Sequence, residues 1–311
     1  MPVIAGPEVL QRSSAARRWL RGIGALMLLL VATAVASPLV TAYVELEQCV
    51  KFTDIPYADG ARRKLDVYQP RVADGAPVVA FFYGGRWSSG AKGLYRIFAG
   101  ALTARGYVVV IPDYRLYPDV KFPAFVEDGA MAVRWTRDNI AKFGGDPHRL
   151  FVMGHSAGAY IAAMLALDPQ WLNGVSLDAG RDIAGLIGIS GPYDFLPLKD
   201  PDLVDIFGGA YRAVTQPITF AEGRKPPALL VTGGADNVVD PGNAMRLAER
   251  LRRGGNDATA VLYRRFGHMT VLVGYAPLLW NFLPAMHDLD AFVVRAGAER
   301  RVFGLSEVPV P

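Results

Sequence analysis

The stretch Gly154-His155-Ser156-Ala157-Gly158 sets one hydroxyl between two glycines in the pattern G-x-S-x-G. Residues 150–154 before it read as a buried strand, and residues 156–167 after it read as a buried helix. A serine at such a sharp strand-to-helix turn takes strained backbone angles and projects its Oγ beyond the sheet edge. Side chains two residues away on either side would collide across the turn, so both neighbours are glycine. The chemistry this offers is nucleophilic attack, assisted by the positive end of the helix that follows.

A serine nucleophile needs a base, and the base needs a carboxylate to orient it. The chain has four histidines. His155 lies inside the turn and is too constrained to reach its neighbour's Oγ. His148 lies in a "GGDPHR" turn at 144–149, at the wrong end of the strand, and His287 falls within a helical run. His268 follows the last strand-like segment, in "RRFGHMT", at the same sheet end as Ser156, and is the expected base. In "PALLVTGGADNVVDP", Asp236 comes directly off a strand and is the expected acid. Asp240 precedes Pro241 and a helix, so it reads as a helix cap. The order Ser156, Asp236, His268 is that of α/β-hydrolases.

Attack on a carbonyl also demands donors for the oxyanion. The N–H of Ala157 is one candidate. Gly84 and Gly85 in "FFYGGRWSSG" are the others, since glycine lets that loop approach the substrate closely. Arg86 and Trp87, next in the loop, are candidate substrate-binding residues. Arg86 has two readings, a contact for a distant substrate carboxylate or a salt-bridged loop residue.

The elements that must position these groups alternate. Strands are expected at 50–57, 65–69, 77–83, 107–111, 150–154, 184–190, 228–233 and 258–265. Helices are expected at 92–105, from Pro123 onward with Val126, Ala130, Val133 and Ile140 on one face, at 156–167, at 241–253 and at 277–294. The expectation is an α/β protein with a mostly parallel eight-stranded sheet covered by helices on both faces. The proline- and glycine-rich segment 192–227 reads as a loop or small cap. Phe195, Phe207, Tyr211 and Phe220 in it are expected to wall a small apolar site, favouring acyl groups from acetyl to butyryl.

Several blocks resemble one family: "YGGRWSSGAK", "VVVIPDYRLYP", "FPAFVEDGAMAVRW", "GGDPHRLFVMGHSAGA" and "GGADNVVDP". From about residue 50 to 295 the chain is similar to the α/β-hydrolase esterases of the HGG-x-W type, a group of carboxylesterases, feruloyl-esterase-like and kynurenine-formamidase-like enzymes. The resemblance implies the α/β-hydrolase fold and a serine hydrolase of carboxylic esters or related amides that uses no metal or cofactor. It implies that Gly84 and Gly85 hold the oxyanion, and that "PDYR" and Asp128 are structural. The chain departs from the pattern at Tyr83, where the family has histidine, and at Arg86, where glycine or an aromatic is usual. Tyr83 can still brace the loop by hydrogen bonding.

Composition bounds the rest. The 311 residues are 51% hydrophobic and 20% charged, enough for one large α/β domain, 45–311, after an N-terminal segment, 1–44. A net charge of +4 with scattered basic residues does not make a nucleic-acid surface. The single cysteine, Cys49, excludes an internal disulfide. Residues 22–44 carry no charge and as a helix would reach roughly 34 Å, enough to cross a bilayer core. Arg12, Arg17, Arg18 and Arg21 precede them, which directs the rest of the chain outward across a cytoplasmic membrane. The segment reads either as an uncleaved signal anchor or as a cleaved signal with Ala34-Val35-Ala36 at the cut, leaving the domain secreted or periplasmic. The partners so implied are a small-molecule ester and the membrane. An amide-cleaving relative such as an arylformamidase shares the same triad. A non-catalytic membrane-tethered binding protein usually lacks a triad member, and all three are present.

Overall fold

The computed structural model describes residues 49–280 and 283–306. The hydrophobic segment 22–44 and the rest of 1–44 lie outside these residues. Eight strands form one sheet: β1 (Cys49–Pro56), β2 (Lys64–Pro70), β3 (Ala76–Phe82), β4 (Val108–Pro112), β5 (Gly145–His155), β6 (Gly185–Ile189), β7 (Ala228–Gly233) and β8 (Ala258–Tyr263). Their spatial order is β1-β2-β4-β3-β5-β6-β7-β8. The β1–β2 and β2–β4 pairs are antiparallel, and every later pair is parallel.

The all-apolar sequences of the central strands follow from this order. β4, β6 and β7 are buried at every position. That requires cover on both faces, the usual condition of a parallel sheet. Helix α1 (Arg96–Thr103) packs on β2 and β4. Helices α2 (Ala124–Asn139) and α3 (Ala157–Leu167) pack on each other and on the central strands. Helix α3 is buried at all its residues, which explains why it is apolar all round rather than striped. A short helix, α4 (Pro201–Phe207), is capped by Asp200, whose Oδ1 accepts from the N–H groups of Asp202 and Leu203. Helix α5 (Gly242–Arg253) packs on β7 and β8, and α6 (Ala285–Ser306) closes the fold.

Two sequence expectations change. Of the turn expected at 144–149, residues 145–149 belong to β5, because Gly145 pairs with Ala76 before a register irregularity and Leu150 then pairs with Val78. The helix expected over 277–294 begins only at Ala285, with 3-10 turns at Thr270–Tyr275 and Pro277–Leu279 before it. Pro284 supplies the reason: within a helix it would remove an N–H and clash with the carbonyl four residues back. The segment 192–227 is folded around α4 and two 3-10 turns. Among the described residues no helix is long and apolar enough to cross a membrane.

Parallel sheets place ligands at the carboxyl ends of their strands. The ends of β3, β5, β7 and β8 carry Gly84, Ser156, Asp236 and His268 respectively.

Candidate active site

Ser156 joins β5 to α3 with φ 55 and ψ −122, a left-handed conformation that is strained for a residue with a Cβ. Its N–H donates to Ile189 O on β6 at 2.9 Å, which anchors the turn. The need for glycine at 158 is steric: a Cβ there would lie 2.0 Å from Phe82 O. A Cβ at Gly84 would lie 2.9 Å from Ser156 Cβ, so the loop after β3 meets the nucleophile backbone to side chain.

Ser156 Oγ lies 2.9 Å from His268 Nε2. His268 Nδ1 lies 2.8 Å from Asp236 Oδ2. Asp236 Oδ1 accepts from the backbone N–H groups of Val238 and Val239, each at 2.9 Å. Burial alone would raise the Asp236 pKa. The Val239 and Val238 amides and His268 outweigh it and hold the carboxyl below its usual value. An ionised Asp236 accepts a proton-bearing Nδ1, which leaves Nε2 unprotonated and facing Oγ. Asp240 turns elsewhere: Oδ1 accepts from Gly242 N–H and Oδ2 pairs with Arg246 at 3.1 Å. Asp240 lies one residue before the N-cap of α5, which is Pro241, and holds the Gly242 N–H at the helix entry.

His155 is not the base, and its geometry shows a different part. Burial lowers its pKa to about 4, so the ring is neutral at physiological pH. Its Nε2 lies 3.0 Å from His268 O, a pure acceptor, so Nε2 carries the proton. Nδ1 then accepts, and the Tyr95 hydroxyl donates to it at 3.2 Å. The Tyr95 oxygen in turn accepts from Gly84 N–H at 3.3 Å. One chain of hydrogen bonds therefore ties the His268 loop to the Gly84 loop. Sequence offered no signal for Tyr95, nor for the Val238 and Val239 amides.

This chain modifies the oxyanion expectation. Gly84 N–H is directed to Tyr95, which leaves Gly85 and Ala157, at the first turn of α3, as the freer donors. Tyr83 does brace the loop: its buried hydroxyl donates to Asp113 Oδ1 at 2.8 Å and accepts from Arg62 at 2.8 Å. Asp128 is fully buried and receives Arg63 Nε, Arg115 N–H and the Arg115 guanidinium. The "PDYR" segment and Asp128 are thus structural, as expected.

Arg86 pairs with Asp200 at 2.8 Å, with both side chains about half exposed, in agreement with its salt-bridged reading. Trp87 is buried against Phe125, Tyr160, Phe195 and Phe207. Consecutive positive φ values at Arg86 and Trp87 (54 and 59) turn the loop inward there.

Two cavities meet at Ser156. One, about 720 Å³, is walled by Leu94, Ile97, Phe98, Met269, Val273 and Tyr275, with His155 and His268 at its base. The other, about 520 Å³, lies against Ala157, Trp87, Pro192, Phe195 and Leu196 and is also lined by Lys199, Asp194 and Arg246. The walls expected from 192–227 are corrected accordingly. Phe195 lines the second cavity, but Phe207 is fully buried in the aromatic cluster, Phe220 packs on the core, and Tyr211 is 78% exposed. Among the described residues no group of three or more His, Cys, Asp or Glu side chains is arranged to hold a metal.

The buried histidine has a consequence for stability. A folded-state pKa near 4 against 6.5 in the unfolded chain means that His155 contributes fully above pH 6.5. That contribution is lost as pH falls through 6.5 towards 4, because the unfolded chain takes up the proton first. The wild type is expected to lose about 3 kcal/mol across that window that His155→Gln does not lose. Urea denaturation at a series of pH values measures the difference, and parallel curves would refute the assignment.

A serine, histidine and aspartate hydrogen-bonded in series at the carboxyl end of a parallel sheet, with the serine on a strand-to-helix elbow, define an α/β-hydrolase site. The chain belongs to the BD-FAE family, whose model matches residues 65–251. It is 31% identical over 242 residues to a probable isoprenylcysteine alpha-carbonyl methylesterase of Arabidopsis thaliana, covering 69% of this chain and 50% of that one. It is 30% identical over 217 residues to Esterase LipC of Mycobacterium tuberculosis, covering 63% and 54%. The chain thus spans about half the length of these curated relatives. A thermophilic esterase from Thermogutta terrifontis superposes with a TM-score of 0.66 at 25% identity, over 81% of this chain and 94% of that one.

Proposed function

We propose that this protein is a serine hydrolase of carboxylic esters that works through an acyl-enzyme. The observation that carries the reading is the aligned series Ser156 Oγ, His268 and Asp236, at 2.9 and 2.8 Å. His268 takes the Ser156 proton as Oγ attacks the ester carbonyl. Asp236 holds the imidazole tautomer and stabilises the imidazolium. Gly85 and Ala157 N–H groups meet the developing oxyanion, with Gly84 beside them. His268 then protonates the leaving alcohol, and water activated by the same ring releases the acid. None of these steps draws on a metal or cofactor.

Short acyl groups, acetyl to butyryl, are the preferred acids. The cavity beside Ala157 is lined by apolar Trp87, Phe195 and Leu196 and also by the charged side chains of Lys199, Asp194 and Arg246. A long acyl tail would have to desolvate those charges. The butyrate-bound form of the Thermogutta terrifontis esterase supports this preference. An amide such as an aryl formamide would use the same groups, and a substrate panel separates the two.

Residues 22–44 tether or export the domain, so that it acts outside the cytoplasmic membrane. A membrane-impermeant fluorophosphonate tests activity and side together. It should label Ser156 covalently on osmotically opened cells whose inner membrane is intact. Absence of label in the purified protein would remove the serine mechanism, and labelling only after inner-membrane lysis would remove the topology.

A further inference from the structure

We infer that the larger, apolar cavity is the alcohol side of the ester, and that the protein is built for short-chain esters of large apolar alcohols, fatty or terpenoid in kind. The inference rests on the ester-hydrolase reading and adds its substrate class.

Attack forms the Oγ–C bond and turns the carbonyl carbon into a tetrahedral centre bearing Oγ, the oxyanion, the acid's carbon chain and the alkoxy oxygen. The intermediate collapses when the bond from carbon to the alkoxy oxygen breaks and that oxygen takes the proton from His268 Nε2. The alkoxy oxygen must therefore lie within hydrogen-bond reach of Nε2, and the alcohol must extend on the imidazole's side of Ser156. His268 lines the 720 Å³ cavity, together with His155, and does not line the 520 Å³ cavity. The oxyanion donors span the two, Gly85 lining the larger cavity and Ala157 the smaller. With Nε2 on one side, the acyl chain falls to the other, against Trp87 and Phe195.

The walls then state what the alcohol is. Leu94 and Ile97 come from the 3-10 turn at Lys92–Tyr95 and from α1, and Met269 and Val273 come from the segment directly after the base. These four side chains are 74, 60, 59 and 46% exposed, a row of large apolar groups held in water around one opening. Single exposed apolar residues are ordinary, but a contiguous set around a reactive serine marks a ligand surface. Phe98, Leu272 and Tyr275 continue the apolar lining inward. Arg246, at the smaller cavity, is paired with Asp194 and Asp240, and Arg86, which lines both cavities, is paired with Asp200. The larger cavity thus takes an apolar chain, and the smaller takes a short acid.

The experiment compares two ester series below their aggregation limits: acetates of alcohols from ethyl to octyl, and ethyl esters of acids from acetate to octanoate. Each CH₂ that finds wall raises kcat/KM by up to about fourfold. Octyl acetate is expected to exceed ethyl acetate at least tenfold, while ethyl octanoate gains nothing over ethyl butyrate. The double variant Ile97→Ser with Val273→Ser should lower the ratio of kcat/KM on octyl acetate to that on ethyl acetate at least fivefold. Both positions are exposed, and neither touches the reacting atoms. A flat alcohol series, or a gain that appears in the acid series and is lost in the double variant, overturns the assignment while fluorophosphonate labelling of Ser156 stays intact. Failure of labelling and of all ester turnover would instead overturn the hydrolase reading, and the inference with it.

Discussion

Ser156→Ala is expected to lower kcat on a good ester substrate by a factor of about 10⁶, the scale seen when a triad nucleophile is removed. The change deletes one oxygen and leaves the Cβ, so the steric fit against Gly84 is kept. The strained φ of 55 is kept too, since alanine and serine resist it alike. The 2.9 Å contact from His268 Nε2 is lost, but Nδ1 remains held by Asp236 at 2.8 Å. Thermal stability should therefore move little while covalent labelling disappears. Steady-state kinetics and a melting curve on the same preparation measure both. Turnover within tenfold of wild type would show that Ser156 is not the nucleophile.

Asp236→Asn is expected to lower kcat by about 10⁴. Its side-chain oxygen would still accept from Val238 and Val239, since those two N–H groups offer nothing else. The amide nitrogen would then face His268 Nδ1 and donate to it. Nδ1 becomes the acceptor, the proton moves to Nε2, and the ring no longer takes the Ser156 proton. Asp240→Asn should change stability by no more than about 0.5 kcal/mol, since asparagine caps a helix about as well as aspartate, and leave kcat within about twofold. The two variants form a matched pair, because the residues lie four apart on one loop. The reverse pattern of effects would move the acid to Asp240.

The sheet was largely legible because its strands are apolar on both faces, and such runs bounded by turn residues carry their own signal. The boundaries were less so. β5 takes in part of the expected 144–149 turn because Gly145 finds a partner in Ala76 across the sheet, a pairing no local window contains. The start of α6 was misplaced because the apolar spacing of 277–284 mimics a helix, although Pro284 argues against one.

The amino-acid sequence by itself determined the reactive series. Ser156 sits in a five-residue pattern whose Gly154 is dictated by contact with Gly158 within the turn, and Asp236 and His268 follow the ends of readable strands. Those are local facts, set by neighbours in the chain. Only the tertiary structure decided what surrounds the series. Gly84 N–H is directed to Tyr95, His155 holds the His268 loop, and Trp87 belongs to an aromatic cluster, because each depends on groups brought from elements far apart in sequence. The pocket walls changed for the same reason. Phe207, placed at the site by the chain's order, turns into the core with Tyr160 and Trp87. Ile97 and Val273, unremarkable in sequence, meet across the cavity because α1 and the segment after His268 come together at one end of the sheet.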